Sequence, residues 1–149
     1  MSIIYKPQKD MELFAPFGPT MGYFKMPYEL VEKLNSKMSD KLKDWSGNLV
    51  GKVSEELAFD DDIIAIAQKG LGQFIGSYQA YTDFRNSMGV KKPDTENFDY
   101  GLQIVSGWFV RQFETEYNPL HIHTGSRMSC VGYLKLPEGI EEEWEEDYK

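Results

Sequence analysis

The chain has 149 residues and a mass of 17.2 kDa, which is the size of one domain rather than two. Its 16 basic and 24 acidic residues give a net charge of −8, which disfavours a nucleic-acid partner because phosphates attract basic surfaces. No apolar stretch is long enough to span a membrane, and the charged N-terminus is unlike a signal peptide. The sequence therefore predicts a soluble, cytoplasmic protein without a membrane partner.

The first half of the chain predicts an arm and two helices. Residues 1–27 are rich in proline, glycine and aromatic residues, which favours an extended arm packed by its aromatic side chains. Apolar residues recur at three- and four-residue steps from Tyr28 to about Lys43, which predicts an amphipathic helix. A second helix is predicted from residue 61 to about 88, capped by an acidic cluster that starts at Asp60. Its broad apolar face is typical of a helix packed on a sheet, although glycines such as Gly70 interrupt the pattern.

The second half predicts strands. After the turn signal at residues 91–94, residues 102–113 alternate in polarity and are rich in β-branched and aromatic residues, which predicts a strand. A short strand is expected at 121–123 and another at 129–136, with turns between them. Because helices precede antiparallel-type strands, the predicted fold class is α+β.

The predicted organisation is a single domain over residues 1–149. Residues 1–93 form the arm and helices, and residues 94–137 hold the strands. Residues 138–149 carry seven acidic residues and one lysine, which is typical of a solvated tail or a surface loop. Two aromatic residues within this stretch, Trp144 and Tyr148, favour the loop.

The chemistry of the sequence is concentrated in its two histidines, His121 and His123. Residues i and i+2 of a strand point to the same face, so both imidazoles are predicted to project together. They could share a metal ion, which would need a further protein ligand and open coordination positions to be catalytic. The alternative is a partly buried pair that forms hydrogen bonds at a strand end. The single cysteine, Cys130, can form neither an internal disulfide nor a thiolate metal site alone.

The segment from Trp108 to Pro137 contains Asn-Pro-Leu-His-Ile-His-Thr-Gly-Ser-Arg and ends in Tyr-Leu-Lys-Leu-Pro. It resembles the metal-binding half of the 2-oxoglutarate/Fe(II)-dependent oxygenases, especially a branch encoded by phages and marine bacteria. The upstream segment 44–52 is also similar to that branch. The resemblance implies a double-stranded β-helix (jelly-roll) core with N-terminal supporting helices, in which residues 94–137 are the first barrel strands. It implies an oxidoreductase, a dioxygenase that uses iron and hydroxylates an unknown substrate while oxidatively decarboxylating 2-oxoglutarate.

The same resemblance implies roles for individual residues. His121 takes the first histidine position and His123 the position that usually holds a carboxylate. This departure leaves three possibilities. The site could use three histidines, or His123 could be the first ligand and Gly125 could stand where the carboxylate is missing, as in related halogenases. In the third possibility, one of the two imidazoles does not touch the metal. Tyr133 resembles tyrosines that line the cosubstrate pocket, and Arg127 is a candidate partner for a carboxylate. The other interpretations are a core or barrel-lining aromatic side chain for Tyr133 and a solvated side chain for Arg127.

Part of the family pattern has no match in these 149 residues. No histidine follows His123, and Lys149 is the only basic residue after Lys135. A jelly roll has about eight strands, so we expect the barrel to be incomplete here, with the acidic stretch as a loop between barrel strands. Two other functions stay open: a catalytically silent jelly-roll binding or phage structural protein, and a cupin-like metalloprotein. The cupin pattern would need an acidic residue where Arg127 stands.

Overall fold

The computed structural model describes residues 12–14, 20–48, 50–86, 102–140 and 142. These residues form a mixed α+β fold, so the predicted fold class is confirmed, while a jelly-roll core is not seen among them. In chain order the elements are β1 (Glu12–Phe14), β2 (Met21–Tyr23), α1 (Tyr28–Asn35), a 3₁₀ turn (Ser46–Asn48), β3 (Glu55–Ala58), α2 (Asp61–Asn86) and β4 (Trp108–Arg111).

The described part of the N-terminal arm forms a short hairpin that docks on α2. β1 and β2 pair antiparallel. Phe24, which follows β2, stacks on Phe74 of α2 with ring centroids 3.9 Å apart. The Tyr78 hydroxyl of α2 donates a hydrogen bond to the Thr20 carbonyl at 2.6 Å. The stacked aromatic pair and this hydrogen bond are contacts that attach the hairpin to the helix.

Helix α1 is shorter than its periodicity predicts. Leu30 and Leu34 are buried on its inner side. The Ser36 amide and hydroxyl both donate to carbonyls of the last turn, and the hydrogen bonds that follow span three residues rather than four. Serine competes for backbone groups in this way, so a tightened turn ends the helix at Asn35. The predicted continuation to about Lys43 is wrong.

Helix α2 is continuous over Asp61–Asn86. Asp60 Oδ1 accepts a hydrogen bond from the Ile63 amide at 2.9 Å, which is the expected N-cap. The two acidic residues of the first turn add negative charge at the positive end of the helix dipole. The helix passes through Gly70 without a break. Neither described helix combines the length and the apolar character of a membrane span.

The core lies between α1, the N-terminal half of α2 and the β3–β4 ladder, so the apolar face of α2 packs on a helix as well as on strands. Its buried members are Leu30, Leu34, Leu57, Ile63, Ala67 and Phe109. Each of the four elements contributes at least one of these side chains. The second half of the chain is therefore held against the first through β4.

The β3–β4 ladder is only partly what the sequence predicts. The two strands are antiparallel, with Glu55 opposite Arg111, and these side chains form an ion pair with a 2.9 Å contact. The pattern predicts a strand over 102–113, but only Trp108–Arg111 is paired. A strand extends only as far as its partner, and β3 has four residues. β3 itself was not predicted.

Glu56 is an unusual residue within β3. It is 2% exposed, and its Oε1 atom has no hydrogen-bond partner among the described residues. Burial raises the pKa of this carboxyl, and the nearby Asp44 raises it further. Two consecutive glutamates also lower the β-propensity of the segment, which is why no strand was predicted there.

The strands expected at 121–123 and 129–136 are wrong. No ladder follows Arg111 in the described part of the chain. Alternating apolar residues are present, yet most of them face solvent, such as Ile122 at 85% and Tyr133 at 74% exposed, while Leu134 is half-buried against the core. Alternation indicates which side chains would share a face, but a strand also needs a partner for its backbone groups.

Some predictions fall outside the described residues. These include most of the acidic stretch, with Trp144 and Tyr148, and the turn signal at 91–94. The structure says nothing of their conformation.

Candidate metal centre

His121 and His123 lie on an exposed segment that follows β4 and the turn at residues 113–116. Their Nε2 atoms are 3.2 Å apart. The ring centroids are 4.8 Å apart, and the ring planes are inclined at 76°. The structure thus brings the two imidazoles together on one side of the backbone, with no strand partner required.

The hydrogen bonds determine where the protons lie. His121 Nδ1 is 2.8 Å from the Pro119 carbonyl oxygen. Because a carbonyl oxygen can only accept, Nδ1 carries a proton, and neutral His121 keeps its lone pair on Nε2. With His121 in this neutral form, the contact between the two Nε2 atoms has His123 as the donor and His121 as the acceptor.

The spacing of the two Nε2 atoms suits a shared metal ion. An imidazole nitrogen binds Zn²⁺ at about 2.0–2.1 Å. Two such bonds place their nitrogens about 2.9 Å apart at a right angle and about 3.3 Å apart at the tetrahedral angle. The observed separation of 3.2 Å lies between these values. The separation is therefore compatible with two neighbouring positions around one ion, provided that the proton of His123 moves from Nε2 to Nδ1.

The described residues supply two candidate ligands, His121 and His123, and no complete ligand set. His121 and His123 are the only histidines of the chain. No cluster of three His, Cys, Asp or Glu side chains with suitable spacing occurs in the part of the chain that the structure describes. The structure therefore does not choose among the ligand sets that the sequence left open.

Trp108 of β4 connects the pair to the ladder. Its indole ring lies 5.8 Å from the His123 ring, centroid to centroid, with the planes inclined at 38°. Tilted aromatic contacts of this kind contribute about 0.5–1.5 kcal/mol beyond simple burial. A contact with a strand residue thus limits where His123 can turn.

The two residues predicted to bind the cosubstrate lie on the same exposed stretch of chain. Arg127 Nη2 is 4.0 Å from Asp83 Oδ1 of α2, and the arginine side chain is 79% exposed. Tyr133 also faces solvent. Among the described contacts, none joins either side chain to the imidazole pair. Tyr133 is not the core aromatic side chain of the alternative interpretation.

A group of residues that no sequence pattern indicates holds the segment just N-terminal to His121. We call it the clasp: Gly51, Lys52 and Ser54 on one side and residues 116–119 on the other. Lys52 and Tyr117 exchange two backbone hydrogen bonds, from the Lys52 amide to the Tyr117 carbonyl at 2.9 Å and in reverse at 3.1 Å. These bonds fix the path of the chain two residues before Pro119.

Glu116 is the second connection within the clasp. Its Oε1 accepts hydrogen bonds from the Ser54 hydroxyl and from the Ser54 amide, the latter at 3.0 Å. Its Oε2 accepts from the Phe113 amide at 2.9 Å. The hydrogen bond from the Ser54 side chain is the main reason why the pKa of Glu116 lies below its ordinary value. Gly51 and Lys52 lie in the segment 44–52, which is part of the sequence resemblance. No spacing rule, however, connects that segment to residues 116–119, which are distant in sequence.

No protein-family model, curated protein or solved structure matches this chain. The oxygenase resemblance of residues 108–137 therefore stays a hypothesis.

Proposed function

We propose that His121 and His123 bind a divalent transition-metal ion through their Nε2 atoms and that, with Fe(II), the chain is a 2-oxoglutarate-dependent dioxygenase. One observation carries the proposal: the Nε2 atoms are 3.2 Å apart, while His121 Nδ1 is already committed to the Pro119 carbonyl. Bound Fe(II) would supply, with 2-oxoglutarate and O₂, the oxidation that yields succinate and CO₂ and hydroxylates a substrate. The same proposal includes a jelly-roll core, which is the fold that the resemblance implies.

The residues of the pair divide the proton chemistry of metal binding between them. The Pro119 carbonyl keeps the Nδ1 proton on His121, so that Nε2 presents a lone pair without losing a proton. His123 Nε2 holds the proton of the contact, so binding a cation there would require the other tautomer, in which Nε2 gives up this proton and Nδ1 takes one up. Both side chains are exposed, so solvent can accept the proton from Nε2 and supply the one at Nδ1.

Arg127 is the proposed anchor for the distant carboxylate of 2-oxoglutarate. Its contact with Asp83 is long and exposed, and such pairs contribute at most about 1 kcal/mol. A ligand carboxylate that accepts two parallel hydrogen bonds from the guanidinium can therefore replace Asp83 at little cost. The exposed Tyr133 hydroxyl is the proposed second donor to the cosubstrate.

The test is an anaerobic titration of the purified chain with Fe(II) and 2-oxoglutarate, followed by the weak visible charge-transfer absorption of the ternary complex. We expect the band in the wild-type chain and its loss in His121→Ala and His123→Ala. Ile122→Ala is the matched control, because this exposed residue lies between the two histidines.

Each outcome of the titration decides one part of the proposal. A wild-type chain that does not bind Fe(II), or binding that survives both histidine substitutions, overturns the metal site. Binding of Fe(II) without the band and without succinate formation in air keeps the metal site and rejects the dioxygenase. That second outcome would favour a catalytically silent binding or structural protein.

A further inference from the structure

We infer that Gly51 is a positioning residue for the histidine pair, an inference that rests on the metal-binding function proposed above. The atoms nearest to a Cβ at position 51 belong to Tyr117, Asn118 and Pro119, not to the imidazoles. Gly51 acts through residues 117–119, which can pass close to its backbone because it has no side chain. It thereby sets the position of the Pro119 carbonyl, which accepts the hydrogen bond from His121.

Only glycine fits at position 51. Its backbone has φ of +130°, a conformation that residues with a Cβ atom rarely adopt. A Cβ atom there would lie 2.6 Å from Asn118 Oδ1, 2.7 Å from the Tyr117 carbonyl oxygen and 3.1 Å from Pro119 Cδ. Two of these three atoms belong to the backbone or to a proline ring and cannot turn away. A side chain at 51 therefore has to push residues 117–119 outward.

The displaced residues carry the hydrogen bond that orients His121. Pro119 offers its carbonyl to His121 Nδ1 at 2.8 Å, and it lies two residues after Tyr117, which the clasp holds by two backbone hydrogen bonds. Groups that hydrogen-bond to a metal-binding histidine fix its tautomer and orientation, and their loss typically costs 10–100-fold in metal affinity. Moving this carbonyl should have the same consequence.

The remaining clasp contacts keep the effect local. Glu116 still binds the Ser54 amide and hydroxyl and the Phe113 amide. These hydrogen bonds do not involve the Cβ of residue 51. The core between the helices and the ladder is formed by other residues. Substitution at 51 should therefore move the Pro119 carbonyl without unfolding the chain.

The first measurement is calorimetric titration of the full chain with Ni²⁺. We expect Gly51→Ala to weaken binding about 10–100-fold. Gly47→Ala is the matched control: it lies in the same loop, and a Cβ there meets nothing within 4 Å, so its affinity should equal that of the wild type. Ser54→Ala removes the hydrogen bond from the Ser54 hydroxyl to Glu116 Oε1, which weakens the clasp. It should also weaken Ni²⁺ binding, by a smaller factor than Gly51→Ala. It also keeps the test valid if Gly51→Ala does not fold.

The second measurement reads the tautomer of His121 by long-range ¹⁵N–¹H correlation in the metal-free chain. A His123→Gln variant identifies which of the two histidine signals belongs to His121. The wild type and Gly47→Ala should show the Nδ1–H form, and Gly51→Ala and Ser54→Ala should show a mixture of both tautomers. A purely structural role for Gly51 would not change this signal.

The inference is overturned if Gly51→Ala, or Ser54→Ala where the former does not fold, keeps both wild-type affinity and the wild-type tautomer. A wild-type chain that does not bind Ni²⁺ counts against the proposed metal site instead. In that case the tautomer, measured without metal, alone decides whether Gly51 positions His121.

Discussion

The crossing of α1 over α2 makes Gly70→Ala a quantitative test of the packing. Buried Leu30 lies directly over Gly70, where a Cβ atom would be 2.6 Å from Leu30 Cδ2, closer still to Cδ1 and 3.0 Å from Cγ. Alanine in a helix interior is favoured over glycine by about 1 kcal/mol. Overpacking a core costs about 1–3 kcal/mol. Because all three contacts belong to one buried side chain, the overpacking cost should exceed the gain, with a net loss of about 1 kcal/mol.

A double-mutant cycle with Leu30→Ala separates the two effects. Urea unfolding of the four proteins gives the free energy of unfolding of each. Once the Leu30 methyl groups are removed, Gly70→Ala should stabilise the chain by about 1 kcal/mol, so the coupling between the sites should be about 2 kcal/mol. The midpoint of thermal unfolding should shift by about 2–4 °C for each kcal/mol. Equal stabilisation by Gly70→Ala in both backgrounds would refute the contact.

Other predictions concern buried and exposed side chains of the same type. Ile63 is 0% exposed and Ile122 is 85% exposed, so urea unfolding should show a loss of about 2–5 kcal/mol for Ile63→Ala and a change within about 0.5 kcal/mol for Ile122→Ala. Equal losses would mean that Ile122 is not exposed. The lowered pKa of Glu116 stabilises the fold above the ordinary glutamate pKa, and this contribution is lost as the pH falls through the lowered value. The raised pKa of Glu56 has the opposite effect on the pH dependence of stability. Its contribution to stability is present at low pH and is lost as the pH rises through the raised value. At neutral pH, Glu116→Gln should therefore lower the unfolding temperature and Glu56→Gln should raise it. Thermal unfolding monitored by circular dichroism from acidic to neutral pH measures both shifts. A shift of both variants in the same direction would contradict the two pKa assignments.

Patterns that arise within one turn of chain could be predicted from the sequence. The second helix follows from apolar residues at helical spacing and from the Asp60 cap, and the structure contains both. The glycine that argued against an unbroken helix proves to be the point where Leu30 crosses it. A small residue at a helix crossing and a helix breaker look alike in one sequence. Only the position of the neighbouring helix distinguishes them.

Features that depend on distant partners could not be predicted. β3 has two adjacent glutamates and no alternation, yet it pairs with β4, which lies about 50 residues further along the chain. The residues from 120 to 136 have the alternation of strands and no ladder in the described part of the chain. Strand patterns describe how side chains divide between two faces, whereas pairing depends on which other segment arrives at the edge.

The candidate metal centre combines both kinds of information. The proximity of His121 and His123 is local, since residues two apart on an extended backbone share a side. The tautomer of His121 is not a local property, because the proton on Nδ1 depends on the Pro119 carbonyl, and the clasp connects the residues just before Pro119 to a loop far away in the sequence. A His-x-His motif by itself therefore predicts two adjacent nitrogens and leaves their tautomers undetermined. If the pair binds a metal as proposed, its affinity should depend on the contacts of the backbone just before it, which in this chain include the close approach of Gly51 to residues 117–119.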